Sequence, residues 1–160
     1  MKILRLAKKV AHRLEDSALI ASLLTMLVLA LVQILMRNLA DSGFLWAESF
    51  LRILVVWVPM LGAMVATREN NHISIDAVAR YLSGRSLAWV GLLTGMFAAV
   101  ICGLVAWYAL EFVRFEYEDQ TIAFAEVPNW VCQAILPLGF TVMALRFATT
   151  AITQIFVGDR

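Results

Sequence analysis

Twenty-four consecutive residues, Leu87 to Leu110, carry no charged side chain. At roughly 1.5 Å of rise per residue, a helix of that length crosses the roughly 30 Å hydrocarbon layer of a bilayer. Three further apolar runs are long enough to do the same: Ser17–Met36, about Phe44–Ala66, and Trp130 toward Phe156. The chain is 62% hydrophobic, against roughly 45–50% apolar content in soluble domains. It therefore reads as an all-α integral membrane protein, a single membrane domain over residues 1–160 with spans at about 17–36, 44–66, 87–110 and 130–156. The basic start, Met1-Lys2-Ile3-Leu4-Arg5, superficially resembles a signal peptide. The run behind it is longer than a signal h-region and lacks a small-residue cleavage site before Arg37, so it reads as a retained span.

The segments between spans are patterned too. In residues 1–16, Ile3, Leu6, Ala7, Val10 and Leu14 share one helical stripe, with Lys2, Arg5, Lys9 and Arg13 largely opposite. That suits either an amphipathic interfacial helix or a plain basic anchor. In residues 74–83, Ile75, Val78, Ala79 and Leu82 recur at helical spacing, which predicts a second surface helix capped by Gly84. Within the first span, Ser22, Thr25 and Gln33 can bond to backbone or to a neighbouring helix. Pro59 predicts a bend in the second span near Val55. The segment Glu111–Asn129 reads as a connection and holds five acids, Glu111, Glu116, Glu118, Asp119 and Glu126, against Arg114.

Basic residues set the orientation. Lys2, Arg5, Lys8, Lys9 and Arg13 precede the first span and Arg68, Arg80 and Arg85 follow the second, whereas the other two connections offer Arg37 and Arg114. The positive-inside rule then places both termini in the cytoplasm. Trp46, Trp107 and Trp130 fall at expected outer ends of spans and Trp89 at an inner end, where indoles favour the headgroup level; Trp57 alone is mid-span.

Little points to catalysis. A formal charge of +1 gives no basic excess for nucleic acid. Cys102 and Cys132 have no metal-ligand spacing, and His12 and His72 lie outside the spans, where they cannot ligate a haem between helices. No Ser/His/Asp set or phosphate-cradling glycine loop occurs. The expectation is a chain without enzyme activity, cofactor, metal or substrate ligand.

Ionisable groups inside the membrane are functional candidates by default. Glu48 and Arg52 stand four residues apart with the acid first, the favourable order for an ion pair on a helix. Arg52 lies roughly 12 Å along the helix from Phe44 and could also snorkel toward the surface. Arg146 is deep if the last span reaches Phe156, and at headgroup level if the span ends near Ala148, as Thr149, Thr150 and Thr153 would allow. The polar patch from Arg68 through Glu69 and His72 to Asp76 reads either as a turn capping the surface helix or as a docking element.

Taken together, Glu48, Arg52, Trp57, Leu61-Gly62-Ala63, Arg68 and His72-Ile73-Ser74-Ile75-Asp76 resemble, in order and spacing, the pattern of the small membrane subunit of tripartite ATP-independent periplasmic (TRAP) transporters, the DctQ-like proteins. A second, weaker match is Val127-Pro128-Asn129-Trp130 with Leu136-Pro137-Leu138-Gly139-Phe140 and Arg146. The resemblance implies a scaffold subunit in the bacterial inner (cytoplasmic) membrane, contacting membrane lipids and paired with a large membrane subunit. That large subunit would move an organic acid by a sodium-driven, elevator-like motion, with a periplasmic substrate-binding protein delivering it. It also implies that Glu48, Arg52, Trp57, Gly62, Arg68, His72, Asp76 and Arg146 are structural or interface positions. Two other readings stand beside it: a self-contained four-helix transporter acting as a homodimer around Glu48, and a structural membrane assembly factor.

The topology is checked by cysteine labelling in a cysteine-free background. Single cysteines at Asp41 and Asp119 should label from outside intact cells and one at Asn70 should not; outside labelling at Asn70 overturns the orientation.

Overall fold

Between Lys2 and Ala40 there is neither proline nor glycine, so no residue there has the backbone chemistry that commonly ends a helix. The computed structural model describes residues 2–40, 43–68, 85–124 and 126–157, and it places one continuous helix, α1, over Lys2–Ala40. Of residues 1–16, expected as a surface helix of their own, those from Lys2 onward therefore contribute the opening turns of α1. Its 39 residues span about 58 Å, nearly twice the hydrocarbon layer, so part of it stands outside. The hydroxyls of Ser17 and Ser22 donate to the carbonyls of Leu14 and Leu19, at 3.1 and 3.0 Å. These polar groups are thus absorbed by the helix itself.

The side chain of Gln33 reaches across the first connection, its Nε2 donating to the Phe44 carbonyl at 3.3 Å. The same carbonyl accepts from the Ala47 backbone N–H at 3.1 Å, which fixes the start of α2, Leu45–Arg68. Pro59 lies inside α2 without ending it. The surface helix expected over 74–83 falls outside the described residues.

The third helix, α3, runs Arg85–Asp119, so the first nine residues of the expected connection are helical. Glu111–Asp119 contains no glycine or proline, and the helix stops only where Gln120 takes a left-handed backbone, φ 48°, the conformation that commonly ends helices. A two-stranded antiparallel hairpin follows, β1 Ile122–Phe124 and β2 Val127–Pro128, with Ile122 opposite Pro128 and an irregular register. Glu126 turns it at φ 68°. The expected fourth span is divided into α4, Asn129–Gln133, and α5, Ile135–Val157. Pro137 explains the division: it cannot donate to the Gln133 carbonyl in a continuous helix, whereas in the first turn of α5 its missing N–H is not needed.

Among the described residues, four helices are long and apolar enough to cross a membrane. Contacts gather the chain into two units, Met1–Val65 with Glu111–Ile135, and Ala66–Leu110 with Leu136–Arg160. In the first, Ala47, Leu54, Leu61, Val113, Cys132 and Ile135 are among the buried residues. In the second, Ala106, Met143 and Ala151 are buried. Among the described residues no polar or charged side chain is buried, while Leu31, Leu93, Phe97 and Leu145 are exposed. The interior is apolar as in a soluble protein, but much of the surface is apolar as well, which suits lipid rather than water.

Within the second unit α3 and α5 approach each other closely at Gly95. A Cβ there would lie 2.8 Å from Ala151 Cβ and 3.4 Å from its Cα, whereas a Cβ at Gly62 would meet nothing within 4 Å. Both sites are helical, so the propensity gain of Gly→Ala largely cancels in a comparison. Gly95→Ala should therefore leave the detergent-solubilised chain less stable than Gly62→Ala by about 1–3 kcal/mol, the usual cost of overpacking, as read by chemical denaturation. Equal stability of the two variants would refute the close α3–α5 approach.

Candidate subunit interface

The acid and base at helical spacing do meet. Arg52 Nη2 donates to Glu48 Oε1 at 2.8 Å. Both side chains remain largely open, 78% exposed for Arg52 and 63% for Glu48. In water such a pair is worth little, about 0–1 kcal/mol. In the hydrocarbon layer an unpaired central charge costs roughly 2.5–3.5 kcal/mol, so mutual neutralisation matters more there than the bond itself. The pair sits on a face of α2 that continues through Val55 and Pro59, both exposed, to the open position beside Gly62. Ala47, Leu54 and Leu61 lie buried on the other side of the helix.

Trp57 belongs to the inward side. Its Nε1 donates to the Cys132 carbonyl at 2.7 Å, in α4 just before the turn that leads into α5. An indole N–H left without an acceptor in an apolar setting costs about 1–3 kcal/mol. The turn at Ala134, whose N–H reaches back only to the Val131 carbonyl at 3.4 Å, loosens the helical ladder beside that acceptor. The mid-span tryptophan thus joins α2 to α4.

The other expected site residues are dispersed. Arg68 is the last residue of α2 and half-buried, where a cation complements the helix dipole. Arg146 is half-buried within α5, and its carbonyl accepts from the Thr149 hydroxyl at 2.9 Å. The Thr153 hydroxyl bonds to the Thr149 and Thr150 carbonyls. These threonines are satisfied by their own helix, so they do not force the span to end at Ala148. His72 and Asp76 lie outside the described residues. Among the described residues no group of three or more His, Cys, Asp or Glu side chains could hold a metal ion.

One site escaped the sequence reading. Glu116, on the charged final turns of α3 beyond the apolar run that ends at Leu110, accepts on one carboxylate oxygen from Thr121 Oγ1 at 2.6 Å and from Asn129 Nδ2 at 2.8 Å. Thr121 foremost, then Asn129 and Gln133, hold its carboxyl below the usual carboxylate range. The Asn129 backbone N–H donates to the Thr121 carbonyl at 2.9 Å, and Tyr117 meets Trp130 edge-on with ring centres 5.5 Å apart. The end of α3, the hairpin and the start of α4 are therefore one bonded assembly.

The DctQ component model of the tripartite ATP-independent periplasmic transporters matches residues 26–157. The chain is 28% identical over 118 residues to a C4-dicarboxylate TRAP transporter small permease protein of Rhodobacter capsulatus, covering 73% of this chain and 52% of that protein. It is 22% identical over 141 residues to an isethionate TRAP transporter permease protein, DctMQ, of Oleidesulfovibrio alaskensis, covering 82% of this chain and 22% of that one. It is also 41% identical over 46 residues to a sialic acid TRAP transporter permease protein, SiaT, of Haemophilus influenzae, covering 29% of this chain and 8% of that protein. The chain thus spans about half the length of the first relative and about a fifth of the second.

Because the Glu116 carboxyl has a lowered pKa in the folded chain, its stabilisation is complete above the unfolded pKa and is lost as pH falls through the folded one. Hydrogen exchange at the Asn129 N–H, corrected for intrinsic rate, should lose protection on acidification below the usual carboxylate range. In Glu116→Ala that pH-dependent step should be absent; an identical step in the variant would place its origin elsewhere.

Proposed function

The chain belongs to the DctQ component family of tripartite ATP-independent periplasmic transporters, and on that premise we propose that it is the small accessory membrane subunit of a heterodimeric transporter. A large membrane subunit carries the substrate path, a sodium gradient drives uptake, and a periplasmic binding protein delivers an organic acid. The chain resides in the bacterial inner membrane with both termini on the cytoplasmic side, and has no catalytic activity of its own. It holds the large subunit in place; Glu48, Arg52, Gly62, Arg68, His72, Asp76 and Arg146 serve this architecture, and Trp57 keeps α2 registered against α4.

The observation that carries this reading is the Glu48–Arg52 pair. A substrate or ion site in the membrane gathers polar groups around a cavity. Here the acid and base satisfy each other on an outward face of α2. The DctMQ relative supports the partner, because this chain's match covers only 22% of that permease protein and leaves most of its length for another part of the transporter. The C4-dicarboxylate and isethionate relatives support an organic acid as the solute.

Reconstitution tests the proposal. Vesicles holding the purified chain alone should show no organic-acid uptake under an imposed sodium gradient. Vesicles holding both membrane subunits, with the binding protein added, should take the solute up. Uptake by this chain alone would overturn the accessory reading and favour a homodimeric transporter.

A further inference from the structure

Five residues of α2 recur at alternating steps of four and three: Glu48, Arg52, Val55, Pro59 and Gly62. On a helix of 3.6 residues per turn they fall within roughly a quarter of the circumference. Each is poorly suited to lipid in its own way. Glu48 and Arg52 form an ion pair that the chain leaves open. Pro59 has no N–H to give to the Val55 carbonyl one turn back, and Val55 is itself 56% exposed. Gly62 has open space where a side chain would be. Three different departures from a lipid-facing surface, a charge pair, a weakened backbone acceptor and a missing side chain, thus align on one stripe. Ala47, Leu54 and Leu61, the buried side of the same helix, show none of them.

We propose that this stripe is the seam against which one transmembrane helix of the large subunit packs, with its closest backbone approach at Gly62. The inference rests on the accessory-subunit reading and names the surface that serves it. Membrane helices associate where small residues let backbones approach and where polar groups find partners across the contact. The DctMQ relative, in which the region matching this chain makes up 22% of the permease protein, argues for the large subunit as the occupant. The facing helix is expected to present a small residue opposite Gly62 and a hydroxyl or amide donor near the Val55 carbonyl. Glu48 and Arg52 then lie at the rim of the contact, where each retains its partner and gains further hydrogen bonds.

Gly103 supplies a matched control, because a Cβ there also meets nothing within 4 Å and it lies on α3, off the stripe. The test co-expresses the chain with a tagged large subunit and measures recovered complex for the parent, Gly62→Leu and Gly103→Leu, with thermal melting of each chain alone. The parent should co-purify, Gly62→Leu should lose about tenfold or more of the complex, as expected for an overpacked contact, and Gly103→Leu should retain it. Both variants should melt as the parent does when isolated. Failure of the parent to co-purify would overturn the accessory reading itself. A parent complex that survives Gly62→Leu, or is lost equally with Gly103→Leu, would overturn the seam and leave the accessory reading standing. So would a Gly62→Leu chain that misfolds alone, or one that loses only self-association and so shows a second copy to be the occupant.

Discussion

A polar group in the hydrocarbon layer has no water to turn to, and nearly every local feature of this chain follows from that scarcity. Hydroxyls are returned to carbonyls three or four residues back, as in Ser17, Ser22, Thr94, Thr141 and Thr153. The indole N–H of Trp57 is too far from its own backbone for such a solution. It takes the Cys132 carbonyl instead, and α2 is joined to α4 by a bond with a sequence separation of 75 residues. The same scarcity explains Pro137: at the head of α5 its missing N–H is harmless, and the helix breaks before it. Local chemistry thereby fixes which helices must be neighbours, before any volume is packed.

The spans were legible because lipid demands long apolar runs and tolerates few exceptions. Glu48 and Arg52 were legible for the same reason, since two charges in such a run must be paired and four residues is the spacing that pairs them. Where the constraint weakens, the sequence becomes ambiguous. Glu111–Asp119 alternates charged and aromatic residues, a composition equally at home in a loop or on a solvated helix, and only the absence of glycine and proline favoured continuing α3. The hairpin from Ile122 to Pro128 is too short to show strand alternation. The Glu116 cluster draws on positions 116, 121, 129 and 133, a spacing with no helical or strand period, so it exists only once the hairpin brings them together. The boundary near residue 16 was misleading because amphipathic patterning changes there while helix-forming chemistry does not.

Two faces of α2 therefore answer different demands. The side with Ala47, Leu54 and Leu61 is ordinary membrane packing within the first unit. The side with Glu48 and Arg52 is balanced between two environments. Paired, the charges can reside near the membrane surface with the chain alone, because each offsets most of the other's cost. Removing either partner exposes the remaining one to the penalty of an isolated charge, roughly 2.5–3.5 kcal/mol at the bilayer centre and less near the headgroups. Such a pair would suit the proposed seam, a surface that meets lipid before a partner helix covers it. It is tolerable in lipid, and it retains unused hydrogen-bonding capacity, since Arg offers five donors and a carboxylate about four acceptor positions while a single 2.8 Å bond joins them here. A wholly apolar stripe would gain no hydrogen bond from being covered. An unpaired charge would obstruct insertion, and the intermediate solution is the one this helix adopts.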